Sequence, residues 1–334
     1  MKEKTYLDPE NQLKQLQERN LAITDFEEGL QILERNNYYN LINGYKSPFL
    51  TDYYKDGSCL NEIYSLYRFD KRISKLYFGA LMSIENLLKT IIANTFSSKY
   101  GHKDYLKLRN FDYVEAQELA ALKDTKKIEA MEKNNNIKSL IDKLNKYINN
   151  HNYTTRYITH YKNKHKYVPF WVLVNVMTFG DITRLYSLLK QSEKDVVCNK
   201  LSQNHRINQK ELNNILSMCQ DFRNKSAHDQ RFYSIQTTNR KGFRFVIQFN
   251  NVTYQNKQIT HVDTSIFALT IVLKILLDPN DYQQFVNSFI DELTLLSNNI
   301  KTVTISYILH EMDFVSNVIQ LDTIEKVKDF LESI

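Results

Sequence analysis

Residues 60–100 read LNEIYSLYRFDKRISKLYFGALMSIENLLKTIIANTFSSKY. Apolar side chains recur there at three- and four-residue steps: Ile63, Leu66, Tyr67, Ile73, Leu76, Tyr77, Leu81, Ile84, Leu87, Leu88, Ile91 and Ile92. Such steps line up on one face of a helix with 3.6 residues per turn. The stretch therefore predicts one long helix, or two in line, ending at Gly101. An apolar helix of this length sets the fold class, which is mainly α.

Composition points the same way. The 334 residues include only 7 Gly and 4 Pro, too few breakers for a sandwich or barrel of many tight turns. A 42% hydrophobic share with 25% charged residues suits a globular chain able to bury a sizeable core, as one large domain or two smaller ones. Tyr (22) and Phe (18) supply much of that core volume, and some can serve as stacking surfaces. The single Trp is Trp171. Cys59, Cys198 and Cys219 lie far apart without CxxC spacing, which fits reduced thiols better than a disulfide framework or a zinc site. The opening MKEKTYLDPENQ has no apolar signal segment. Ile266 to Leu277, the most apolar stretch, is about 12 residues and too short to span a bilayer. The expectation is a cytoplasmic protein with no membrane partner. A net charge of +6 tilts toward a polyanionic partner, with a solvated basic face as the plainer alternative. No Gly-rich phosphate loop and no GxSxG occur, which argues against a P-loop ATPase or an α/β-hydrolase.

Outward from the central helix, residues 1–58 predict an N-terminal helical segment. Asp8 precedes Pro9 at one helix start, Asp25 caps a second, and Gly44 with Pro48 makes the stretch near 38–49 a turn or loop. Residues 59–300 form the helical core. Within it, 123–167 is a polar, Lys-rich insertion punctuated by Asn134-Asn135-Asn136, with a helix near 137–148 between mobile polar segments. It reads equally as a solvated insertion or as an RNA-contacting surface. Its His151, His160 and His165 lack ligand spacing with Asp or Cys, so neither a metal site nor a cofactor is expected. Pro169 to Lys190 predicts one buried helix carrying Trp171, with Gly180 allowing close packing or a kink. Alternation from Phe243, with Asn250-Asn251 able to turn, predicts a small β-hairpin near 243–258. Residues 301–334 form a C-terminal helical tail.

The chemistry concentrates in Asp221-Phe222-Arg223-Asn224-Lys225-Ser226-Ala227-His228-Asp229-Gln230-Arg231-Phe232-Tyr233. On a helix, Asn224 and His228 are four apart and share a face, and the long Arg223 side chain can reach round. An imidazole that titrates near neutral pH and a guanidinium that grips two phosphate oxygens are the minimum for cutting RNA without metal. Taken alone, an arginine five residues before a histidine is common and usually a surface pair. Lys225 and Arg231 are phosphate contacts on charge grounds, or solvated. Tyr233 is a base-stacking candidate, or a buried tyrosine.

The segment resembles the R-x4-6-H motif of HEPN domains, and Arg223-Asn224-Lys225-Ser226-Ala227-His228 is similar to the Arg-Asn-x-x-Ala-His signature of their abortive-infection (Abi) members. Other stretches resemble that family in the same order: Tyr38-Tyr39 with Gly44-Tyr45 and Pro48-Phe49; Phe69-Asp70-Lys71-Arg72-Ile73 with Ile84-Glu85; Pro169-Phe170-Trp171 with Thr178-Phe179-Gly180; and Ile308 to Phe314. The chain departs at Asn175, often acidic in members, and at Lys89, often Arg. The resemblance implies a HEPN-type helical bundle that homodimerises, so that two motifs meet in one cleft. It implies a metal-independent endoribonuclease of phage defence or a toxin–antitoxin system, with RNA as substrate and a non-coding RNA antitoxin as partner. His228 and Arg223 become catalytic, with Asn224 orienting them. Glu85 becomes a supporting group, or else an ion-pair partner of Lys89. Asp229 is a weaker supporting candidate, because adjacent helical residues do not face each other. Asp70 and Arg72 pair with each other or with the motif. Two other readings stay open: a catalytically silent RNA-binding protein regulated by a small RNA, and a helical scaffold that binds protein.

Overall fold

The computed structural model describes residues 5–150, 155–202, 207–227, 231–235, 246–254, 257–316 and 319–334, with 246–254 and 257–263 described by their backbone alone. In chain order the elements are α1 (Pro9–Glu18), α2 (Phe26–Arg35), α3 (Leu60–Tyr100), α4 (Ala116–Ala121), α5 (Asp124–Asn149), α6 (Arg156–His165), α7 (Phe170–Leu173), α8 (Phe179–Leu188), α9 (Gln191–Ser202) and α10 (Gln209–Ala227). Strands β1 (Val246–Tyr254) and β2 (Lys257–Asp263) follow, then α11 (Ile266–Leu276), α12 (Pro279–Asn299), α13 (Ile305–Glu311) and α14 (Ile324–Ser333). The fold is mainly helical, as the periodicity predicts.

Residues 60–100 form one helix of 41 residues, not two in line. Its start is fixed by a capping box in which Glu62 accepts the Cys59 N–H at 3.3 Å. The same carboxylate accepts the N–H of Lys301 and, at 2.8 Å, that of Thr302, which pins this end to the chain leaving α12. Gly101 ends the helix at φ +79°, a conformation that L side chains rarely adopt. Around α3 pack α12 along one side and α7, α9 and α10 on others. Tyr77 on α3 meets Phe285 edge-on at 4.9 Å and Phe289 at 5.9 Å. Its hydroxyl donates to Thr270 Oγ1 at 2.5 Å, because the Thr270 hydrogen is committed to the Ile266 carbonyl at 2.8 Å. By length and composition α3 is also apolar enough to cross a bilayer, where the sequence reading found no candidate beyond Ile266 to Leu277. Half of the qualifying window is buried inside the fold. Glu62, Asp70 and Glu85 are buried on this helix and each meets a partner elsewhere in the chain, so α3 is the core helix.

Several local expectations change. The stretch near 38–49 is a wide helical turn at Tyr39–Asn43 and a tight one at Ser47–Phe49, not a loop. Asn37 Oδ1 accepts the Tyr39 N–H at 2.9 Å, and burial of Leu41, Ile42 and Phe49 holds the turns. The Lys-rich region holds a helix of 26 residues, α5, rather than one confined to 137–148. Asn134 does not break it, because its buried amide satisfies both the N–H (3.0 Å) and the C=O (2.8 Å) of Val114. Pro169 to Lys190 is two helices. Thr178 Oγ1 accepts the Asp181 N–H at 3.2 Å and Asp181 accepts the Thr178 N–H at 3.2 Å, a capping box that starts α8 afresh. Trp171, expected in a buried helix, is 47% exposed. Gly180 supports close packing: a Cβ there would lie 2.9 Å from Gln220 Nε2 on α10. Strands β1 and β2 pair antiparallel, with Ile247 opposite Val262, but Asn250-Asn251 is not the turn: both lie inside β1, where the register is irregular between Gln248 and Val252, and Tyr254 pairs with Lys257; residues 243–245 lie outside the described residues.

Candidate functional site

Helix α10 begins at a third reciprocal cap: Asn208 Oδ1 accepts the Glu211 N–H at 2.9 Å, and Glu211 accepts the Asn208 N–H at 2.7 Å. Its buried stripe runs Leu212, Ile215, Leu216, Cys219 and Phe222. Arg223 lies four residues beyond Cys219, on the edge of that stripe. Its stem is consequently carried toward α3, and the side chain stays 30% exposed.

The face that α3 offers is spaced at about four residues: Asp70, Ser74, Phe78 and, two turns further, Glu85. The Arg223 guanidinium sits over the Phe78 ring, 5.7 Å from its centroid. Arg223 Nε faces Glu85 Oε2 at 3.6 Å, an ionic contact beyond hydrogen-bond distance, and neither atom has a hydrogen-bond partner. The other Glu85 oxygen accepts from Lys89 Nζ at 2.7 Å, with both side chains almost fully buried. Two cations thus share one carboxylate, and the cluster keeps a net positive charge. Among the described residues the two Nη nitrogens of Arg223 meet no hydrogen-bond acceptor.

A second junction lies one helical stretch away. Asp70 is fully buried and accepts the Tyr45 hydroxyl at 2.6 Å, the Phe232 N–H at 2.9 Å and the Tyr233 N–H at 2.5 Å. Burial pushes its carboxyl above the usual carboxylate range, against the pull of those three donors. Ser74 donates to the Ser226 carbonyl at 3.4 Å. Arg231 Nη1 reaches the Gly44 carbonyl and Ser47 Oγ, both at 3.4 Å. The segments on either side of 228–230 are therefore tied to the same helix and to the Tyr39–Phe49 turns.

The structure brings Arg223 and Glu85 together, and Glu85 serves both partners weighed for it. Asn224 is exposed and makes no hydrogen bond with Arg223, so the two diverge from one turn of helix. Lys225 pairs with Asp221 at 3.2 Å. Arg231 is exposed, with its guanidinium 5.6 Å from the Tyr233 ring centroid. Of the two readings weighed for Tyr233 the structure has the buried one: the side chain is fully buried, stacked at 6.5 Å on Tyr45, so no base can reach its ring and its place among the RNA contacts is corrected. His228 and Asp229 lie outside the described residues. Asp70 and Arg72 do not pair with each other; Arg72 binds Glu292 on α12 at 3.1 Å. Among the described residues no group of three or more His, Cys, Asp or Glu converges as metal ligands would. Phe78 and the backbone-binding role of Asp70 were missed by the sequence reading. The four-residue spacing Asp70, Ser74, Phe78 was the available signal.

Fold and site together define a mainly helical protein with a carboxylate-braced cationic cluster where its central helix meets the end of α10. A family model described as Abi-like protein matches residues 31–234, more than half of the chain, and the chain belongs to that family. The match takes in Glu85, Arg223 and His228, and is shorter than the stretch from about 10 to about 315 over which the sequence resemblance runs. No curated protein and no solved structure matches the chain.

Proposed function

We propose that this chain is a metal-independent endoribonuclease of the HEPN superfamily, acting as a homodimer in abortive infection or as the toxin of a toxin–antitoxin pair. The observation that carries the reading is Arg223, braced by buried Glu85 and left with both Nη nitrogens uncommitted among the described residues, five residues before His228. A guanidinium with spare parallel donors suits a phosphate. In the proposed reaction the RNA 2′-oxygen attacks the adjacent phosphorus while an imidazole takes its proton. The P–O5′ bond breaks and the 5′-oxygen gains a proton, leaving a 2′,3′-cyclic phosphate and a 5′-hydroxyl. A homodimer supplies two copies of His228, one to remove and one to return a proton. Arg223 stabilises the added charge of the pentavalent phosphorus. Asn224 orients the substrate or the imidazole, Asp229 supports His228, and Lys225 and Arg231 hold flanking phosphates.

The test is RNA cleavage in excess EDTA. Cleavage persists in the wild type and falls by about 100-fold or more in Arg223→Ala and in His228→Ala. Arg223→Lys stays impaired, because a point charge does not replace the fork. Full activity in correctly folded His228→Ala sinks the assignment. RNA bound intact by the wild type, with no cleavage under any condition, would instead establish the catalytically silent RNA-binding alternative.

A further inference from the structure

We propose that the surface formed by α6, the turn after it and the start of α7 binds single-stranded nucleic acid through an aromatic strip edged by lysines. Four ring contacts run in series. Trp171 lies 5.9 Å from His102, and His102 lies 5.1 Å from Tyr167. Tyr167 lies 6.4 Å from His165, and His165 lies 5.3 Å from Tyr161. The rings are tilted against one another by 36° to 59°, not stacked face to face. Trp171 and His165 are exposed and the other three are half-buried. Lys166 at φ +62° ends α6 and turns the chain so that His165 and Tyr167 stand on either side of it.

Charge selects the occupant. No Asp or Glu occurs between Asp142 and Asp181. Lys103 sits over the Tyr167 ring at 4.1 Å, and Lys103, Lys164 and Lys166 are exposed and pair with no carboxylate among the described residues. An exposed tryptophan in a protein that buries most of its large aromatics is costly to leave in water, and lysines without counter-charges repel one another. Bases stacking on the rings and phosphates meeting the lysines relieve both. A carbohydrate would use the rings but not the lysines, and a duplex would use the lysines but not the rings. The surface stands apart from the Glu85–Arg223 cluster in sequence and chemistry. If the nuclease reading holds, it is where substrate is first captured.

Trp171 is the only tryptophan, so its fluorescence reports this surface alone. The full-length Arg223→Ala protein, unable to cut under the nuclease reading, is titrated with an oligouridylate of about 12 nucleotides, within the site sizes of single-strand binders. The expected result is saturable quenching whose affinity falls steeply with salt. Anisotropy of the labelled oligomer should show at least about 10-fold weaker binding in Trp171→Leu and in the triple variant Lys103→Ala/Lys164→Ala/Lys166→Ala, both with unchanged circular dichroism. Absence of quenching, salt-independent quenching, or unchanged affinity in both variants overturns the proposal. So does equal binding of a duplex of the same length. Quenching with no cleavage by the wild type leaves this surface standing and removes the nuclease reading; cleavage without quenching does the reverse.

Discussion

Glu85 is the residue on which the candidate site balances. It is buried on α3 and shared between Lys89 at 2.7 Å and Arg223 at 3.6 Å. A buried charge is stable only with its partners, so truncating it strands Lys89, whose side chain is 10% exposed. Glu85→Ala should therefore destabilise the protein by about 3–5 kcal/mol, and Glu85→Ala/Lys89→Met should recover most of that loss. Chemical denaturation of the two variants checks it; equal stability of the single variant and the wild type would mean that the carboxylate is not paired in solution. Asp70 does a different task, since its partners are two backbone N–H groups and one hydroxyl, and it fixes where the chain re-enters the fold at Phe232.

At the scale of elements, the start of α8 is where charge and fold are most closely coupled. Burial pushes the Asp181 carboxyl up, but hydrogen bonds from Lys143, Tyr147 and Thr178 outweigh it and hold the group below the usual carboxylate range. A folded-state value below the unfolded one means that the ionised form is favoured by folding. Its contribution is complete above the unfolded value of about 4 and is lost as pH falls through the folded value. Asp181→Asn should cost about 1–3 kcal/mol at pH 7, and the gap from the wild type should narrow below about pH 4. Thermal melts across pH 3–7 measure it, the comparison being made at each pH. A gap that widens on acidification would contradict the ionised cap. The same carboxylate joins α5 to α8, so the Lys-rich helix is docked by polar bonds as well as by its apolar stripe.

For the molecule as a whole, the family match and the fold do not share a boundary. The match ends at 234, yet α3 is covered by α11 and α12 from beyond it. Tyr77 alone meets Thr270, Phe285 and Phe289 from those helices. A chain cut after residue 234 should therefore expose the apolar side of α3 and lose cooperative unfolding, as seen by calorimetry and dye binding. In the full chain, Phe289→Ala should cost about 3–5 kcal/mol. Cooperative folding of the shortened chain would show that the C-terminal helices are an accessory layer.

The sequence by itself determined the helical class, the central helix with its end at Gly101, the caps at Asp8 and Asp25 and the core helix that begins at Ile266. These are local or periodic properties: a 3.6-residue repeat, a capping side chain three residues from its N–H, a run of apolar residues. Only the tertiary structure decided that Glu85 holds Arg223 as well as Lys89, that Asp70 grips the backbone at Phe232 and Tyr233, that Tyr233 is buried and that Trp171 is exposed. Those outcomes depend on which helix face meets which, across 138 residues for Glu85 and Arg223 (223 − 85) and 162 for Asp70 and Phe232. No pattern within a single element carries information over that separation. The Thr178 and Asp181 box was legible and went unread, because an apolar run masked the break it makes.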